Sequence, residues 1–173
     1  IPDGSWSFED KLDDYGQGTP PIRIAVDLTV ADGKVTVDFS RSSDQVAAGI
    51  NSYINYTRAY AGFAVRVMAG ALLPQNHGTI APIEVTAREG SFFNPTRPAP
   101  SGGRAAVQIR IFEAIAGALN QAIPHRAMAG FSHWANPNIG GIDDRTGKRF
   151  VLYDLVLGGY GGRPDADGTE ALS

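Results

Sequence analysis

The chain is most regular between Ile22 and Phe39. Ile22, Ile24, Val26, Leu28 and Val30 alternate with Arg23, Ala25, Asp27 and Thr29, which gives a strand one apolar face. Asp32-Gly33 follows, and Val35, Val37 and Phe39 resume the alternation. This pattern predicts a β-hairpin closed by a type I′ turn. The period then changes. Tyr60, Phe63, Ala64, Val67, Met68, Ala71 and Leu72 recur at steps of three and four. They predict an amphipathic helix from about Ser52 to Leu72, capped by Asn51 or Ser52 and ended before Pro74. Its tyrosines Tyr53, Tyr56 and Tyr60 either pack on a sheet or line a pocket.

Ile83 to Thr86 reads as a short strand and Glu89-Gly90 as its turn. The segment from Asn94-Pro95 to Pro100 reads as a stiff, extended connection. Ser101-Gly102-Gly103-Arg104 opens a second helix, with Val107, Ile111, Ala114, Ile115, Ala118 and Leu119 on its apolar face and Pro124 as its stop. Beyond it, Arg126 to Ser132 reads as a short strand, His133 to Asn138 as a polar loop and Asp143 to Gly147 as a turn. Phe150 to Leu157 is apolar at consecutive positions, the pattern of a central, buried strand. The fold class expected is α+β: a mixed, mostly antiparallel sheet with an N-terminal hairpin and two amphipathic helices packed on it, in a single domain over 1–173.

Composition narrows the function classes. A chain of 173 residues has the length of one domain, and no apolar run approaches the ~20 residues of a membrane span. The formal charge is −3 with both signs interspersed, which points to neither a nucleic-acid surface nor a membrane patch. Cysteine is absent, so there are no disulfides or thiolate metal sites, and the chain fits a reducing cytoplasm. The first residue is not methionine, and both ends fall in loop-like sequence. The expectation is a piece of a longer chain.

The candidate chemistry lies in three places. Gly158-Gly159-Tyr160-Gly161-Gly162-Arg163-Pro164-Asp165-Ala166-Asp167-Gly168 sets five glycines around one aromatic, one arginine and two carboxylates. Glycine at this density serves positive φ or close approach, so the stretch is either a plain turn or a site. It is neither a P-loop nor an EF-hand. Asn76-His77-Gly78 is a second polar group, with His77 either a site residue or a solvated one. The third is the acidic run Glu9, Asp10, Asp13 and Asp14. It is read either as oxygen ligands for a divalent cation or as a solvated loop pinned by Trp6 and Phe8. Gly102-Gly103 at a helix start could also hold an anion on free N–H groups. His77, His125 and His133 lack any local metal-site spacing.

Several of these stretches occur together in a recognisable order. Gly4-Ser5-Trp6-Ser7-Phe8-Glu9-Asp10 with Leu12-Asp13-Asp14 comes first, then Val37-Asp38-Phe39-Ser40 and Gly49-Ile50-Asn51. Asn76-His77-Gly78 through Pro82-Ile83, Gly90-Ser91 with Asn94-Pro95, and Gly158-Gly159-Tyr160-Gly161 with Arg163-Pro164 and Asp167-Gly168 follow. Through nearly its whole length the chain resembles the hydantoinase B family.

That resemblance implies part of the B subunit of an ATP-dependent cyclic-amide hydrolase of the hydantoin or 5-oxoproline type. In such systems ATP is bound by an A-type subunit, which phosphorylates the substrate carbonyl, and the B subunit holds the activated species for attack. The alternatives are a subunit of an acetone-type carboxylase, which the resemblance also covers, or a non-catalytic scaffold that docks the A subunit. The family's B subunits are longer, and their His/Asp-rich metal segment has no counterpart before Trp6, so no metal ligand is carried onto this chain. The expected partners are the A-type subunit, in a hetero-oligomer, and a small cyclic amide. ATP and a divalent metal belong to the full complex, with no cofactor expected on this C-terminal portion. Asn76, His77, Tyr160, Arg163, Asp165 and Asp167 are the candidate contacts to substrate or A subunit.

Overall fold

The computed structural model describes residues 1–70, 74–132 and 134–170. They divide into two compact units, Ile1–Ala127 and Met128–Ser173, at a boundary that the sequence pattern did not mark. In the first unit, strands β1 (Gly4–Leu12), β2 (Ile22–Ala31), β3 (Lys34–Asp38) and β4 (Ile83–Thr86) form one sheet in the order β1-β2-β3-β4. β1, β2 and β3 are antiparallel, with Gly4 opposite Val30, Leu12 opposite Ile22 and Val30 opposite Val35. Asp32 (φ 50°) and Gly33 (φ 74°) both take positive φ at the β2–β3 turn, as a type I′ turn requires. β4 lies parallel to β3, Val35 opposite Ile83. A parallel pair needs a crossover, which helix α1 (Ile54–Ala69) and the one-turn helix α2 (His77–Ile80) supply. Helix α3 (Ala105–Ala122) packs on β1 and β2, α1 packs on β4, and the two helices touch each other.

The alternating face of β2 is the centre of the core: Ile22, Ile24, Val26 and Leu28 have essentially no exposed surface. Phe39, Phe92 and Phe93 close its lower end, with ring centroids 4.9 Å and 5.2 Å apart. The α+β expectation and its two packed helices therefore hold, with local corrections. The acidic segment from Trp6 is a loop only in part: Gly4–Leu12 forms edge strand β1, with Trp6 half-buried and Ser5 and Ser7 facing out, while Asp13 and Asp14 lie beyond its end. Helix α1 ends at Ala69, because Gly70 adopts φ 71° and its N–H closes on Arg66 and Val67. Leu72, the expected end, lies outside the described residues. Neither Asn51 nor Ser52 caps α1. Tyr53 occupies the N-cap without a side-chain bond, while Asn51 and Ser52 are fully buried.

The second unit departs further. Pro124–Arg126 forms a single 3-10 turn, and the expected strand from Arg126 to Ser132 is otherwise irregular. The expected polar loop is interrupted by β5 (Trp134–Ala135), which pairs with β8 (Val156–Leu157); His133 lies outside the described residues. β6 (Asn138–Ile142) and β7 (Arg149–Tyr153) form a hairpin across the Asp143–Gly147 turn, where Gly147 has φ 66°. The run Phe150 to Leu157 is thus not a central strand. It is split between β7 and β8, and every residue from Phe150 to Val156 is exposed. Consecutive apolar positions do not distinguish a strand covered by its own domain from one whose apolar surface stays open.

Candidate functional site

Asn76 and His77 sit at the start of α2. The Asn76 Oδ1 accepts the Thr79 N–H at 3.3 Å, and the Asn76 N–H donates to the Thr79 hydroxyl at 3.4 Å, a reciprocal capping box. Asn76 is therefore spent largely on holding its own turn. His77 is exposed beside it, and its carbonyl accepts the Ala81 N–H at 2.8 Å. The turn lies at two depressions. One, of about 260 Å³, is lined by Val30, Val65, Arg66, Thr79 and Ile83; the other, of about 430 Å³, by Arg58, Gly62, Ile80, Glu84 and Thr86. Neither is lined by Asn76 or His77.

In the second unit the glycine stretch is a backbone fastening. None of Gly158, Gly159, Gly161, Gly162 or Gly168 has positive φ. The glycines instead permit chain-on-chain contact: a Cβ on Gly161 would lie 1.9 Å from the Ala129 carbonyl oxygen, and one on Gly168 1.9 Å from that of Tyr160. The bonds this closeness allows run from Ala129 N–H to Gly162 O, from Ser132 N–H to Gly159 O and from Tyr160 N–H to Thr169 O, each 2.9 Å. The side chains of Tyr160, Arg163, Asp165 and Asp167 are carried outward, all four residues exposed. Tyr160 stacks on Phe131 at 6.0 Å between ring centroids. Arg163 and Ala166 bridge through their main chains, Arg163 N–H to Ala166 O at 2.8 Å. The six candidates thus fall in two groups, Asn76 and His77 in one unit and the other four in the second.

Two members of the acidic run, Glu9 and Asp10, bind arginines. Asp10 and Glu113 flank Arg110 at 3.1 Å and 2.9 Å, joining β1 to α3. On the outer sheet face Arg41 donates to both oxygens of Asp27, at 2.7 Å and 2.8 Å, and to Glu9 at 2.6 Å. Those hydrogen bonds hold the Asp27 carboxyl below its ordinary value and raise the Arg41 guanidinium. Asp143 is also held low, first by the Arg145 backbone N–H. Sequence reasoning missed Arg41 and Arg110. The available signal was Asp10, which breaks the Trp6, Phe8, Leu12 alternation on the face that α3 covers.

Among the described residues no three His, Asp or Glu side chains come together as a metal-ligand set. The Gly102-Gly103 pair is no open anion cradle either, because the Gly103 N–H donates to the Gly49 carbonyl at 2.6 Å. Among the described residues, therefore, neither a side-chain cluster nor the Gly102-Gly103 pair fits a divalent metal or a phosphate. Among the described residues no helix is long and apolar enough to cross a membrane.

The stretches that the sequence placed in one order are mostly such fastenings. Asp38 Oδ1 accepts from Ser40 and Thr86, locking β3 to β4. Asn94 donates to the Ala87 carbonyl at 3.0 Å, and its own carbonyl accepts the Gly90 N–H at 2.9 Å. A protein of Pseudomonas sp. (strain NS671), provisionally named as the B subunit of a D-/L-hydantoinase, is 30% identical over 99% of this chain and 31% of its own length. The crystal structure of ATP-dependent caprolactamase from Pseudomonas jessenii superposes with a TM-score of 0.85 at 27% identity, covering 99% of this chain and 30% of that one. An acetone carboxylase structure reaches a TM-score of 0.71 at 15% identity over 96% of this chain and 24% of that one, a likeness of fold alone. The chain spans about 30% of the length of the hydantoinase and caprolactamase chains it matches. The hydantoinase B/oxoprolinase family model matches residues 1–173, and the chain belongs to that family.

Proposed function

We propose that this chain is the C-terminal part of the B subunit of an ATP-dependent cyclic-amide hydrolase, of the hydantoin or 5-oxoproline type, working in the cytoplasm. The reading is carried by one observation: a whole-chain likeness, in sequence and in fold, to a structure named as an ATP-dependent caprolactamase. An amide carbonyl is a poor electrophile. Transfer of the ATP γ-phosphoryl to its oxygen in an A-type subunit gives an imidate-like carbon with a good leaving group. Water then adds to that carbon and the C–N bond of the ring breaks, the nitrogen leaving with a proton as the amine, to give an acyl phosphate. A second water cleaves this to the carboxylate and inorganic phosphate. On this reading the exposed Tyr160, Arg163, Asp165 and Asp167 meet substrate or the A subunit from a backbone loop too tightly fastened to drift, and Asn76 and His77 form a second contact.

The test uses the full-length B subunit co-purified with its A-type partner. ATP-dependent ring opening is measured on a hydantoin, 5-oxoproline and caprolactam, with acetone plus bicarbonate as the carboxylase control. Arg163→Ala and Asp167→Ala are expected to lower turnover by about ten-fold or more in an intact complex, the loss of a charged contact to the reacting group or its neighbour. Dissociation of the complex would assign the loop to docking. Unchanged turnover and unchanged assembly would remove it from the site, and ATP-dependent carboxylation without ring opening would overturn the hydrolase reading.

A further inference from the structure

Hairpin β6–β7 leaves Ile139, Ile142, Phe150, Val151, Leu152 and Tyr153 between 44% and 78% exposed. Alternation puts Ile139, Phe150 and Leu152 on one face and Ile142, Val151 and Tyr153 on the other. A two-stranded hairpin with apolar residues open on both faces is marginal by itself. Its hydrogen-bond phase fixes which main-chain groups of β7 point outward. The Asp143 N–H donates to Lys148 O at 2.9 Å, and the Asp154 N–H to Pro137 O at 3.2 Å. Bonded pairs alternate along an antiparallel ladder, so Gly141 with Phe150 and Ile139 with Leu152 carry the internal bonds. The main-chain N–H and C=O groups of Arg149, Val151 and Tyr153 therefore face outward, and among the described residues no further strand meets them.

We propose that this edge of β7 is an interface between two copies of the chain. Two β7 strands set antiparallel about a two-fold axis through Val151 bring every outward group into register. Val151 meets its own counterpart, and Arg149 meets Tyr153 of the second copy at both ends. One residue further out, the same register sets Lys148 opposite the second copy's Asp154, again twice. An axis moved to Arg149 would place that cation against itself, and one moved to Tyr153 would halve the overlap. The strand is thus complementary to itself in one register, in charge as well as in hydrogen bonding, as an isologous contact requires. The product is a four-stranded sheet, β6-β7-β7-β6, that removes an open apolar edge. This inference does not depend on the amide-hydrolase reading.

Light scattering of the purified chain across micromolar to submillimolar concentration is expected to report twice 18.3 kDa at the upper end. Val151→Lys sets two like charges on the axis and should weaken association by about ten-fold or more. Ile142→Lys, on the same face but on β6, should leave it unchanged. Because the chain has no cysteine, Val151→Cys adds a single thiol, and mild oxidation should link two copies through it. Asp144→Cys at the turn should not link them. Circular dichroism checks that the lysine variant is folded, and the cysteine pair carries the test if it is not. A monomer at every concentration overturns the proposal, as does a dimer that neither Val151→Lys weakens nor Val151→Cys captures.

Discussion

Asn51 has no exposed surface, yet its amide holds three segments together. Its oxygen accepts the Val46 N–H at 2.9 Å, and its nitrogen donates to the carbonyls of Val46, Ala48 and Pro100. A buried amide is tolerated because it is fully engaged. Asp27 is the contrasting residue, held by Arg41 on the outer sheet face. Unfolded, it titrates at the ordinary 3.8; folded, it gives up its proton more readily. Its contribution is complete above roughly pH 5 and is lost as pH falls through the folded value, below 3.8. Both side chains are over 40% exposed, so solvent screens the pair and the contribution is small. Denaturant midpoints of wild type and Asp27→Asn should differ at pH 7 and pH 5 and draw together as the pH is lowered further below 3.8. A gap of undiminished size at the lowest pH would show that Asp27 acts through packing.

At the scale of elements, the glycine stretch is the decisive case. Its composition is compatible with a turn, a ligand cradle or a fastening, and only the positions of Ala129 and Ser132 across from it decide. Gly161→Ala forces a Cβ into the Ala129 carbonyl and should cost about 1–3 kcal/mol, as overpacking against an unyielding neighbour does. Hydrogen exchange gives the specific readout: the amides of Ala129 and Ser132 should lose protection first. Wild-type protection at both would refute the fastening. The alternating elements β2 and β3 and the helical periods of α1 and α3 were legible because each buries one face within its own unit, although Phe63 and Val67 of the face expected for α1 stay exposed. β1 was not, because Asp10 interrupts its apolar face to meet Arg110. The Phe150 run misleads because apolar character says that a strand wants cover, not where cover comes from.

For the molecule as a whole, stability of the first unit rests on the stack of sheet, helices and phenylalanine cluster. Phe39→Ala opens a void at the point where β3 meets Phe93 and should cost about 3–5 kcal/mol. Against a total of about 5–15 kcal/mol for a domain, equilibrium denaturation should find the variant near the limit of folding. A cost under about 1 kcal/mol would mean that the cluster collapses onto the vacancy.

By itself the sequence determined the α+β class, the type I′ hairpin, both long helices and the family, since these rest on local periodicity, turn chemistry and the order of short stretches along the chain. Only the tertiary structure decided that the chain forms two units, that Glu9 and Asp10 serve arginines, and that the glycines carry backbone contacts. It also separated Asn76 and His77 from the glycine loop by unit. The physical reason is common to all four: each depends on what lies across from a residue in space, and contacts between residues as distant as Asp10 and Arg110 leave no period in the sequence.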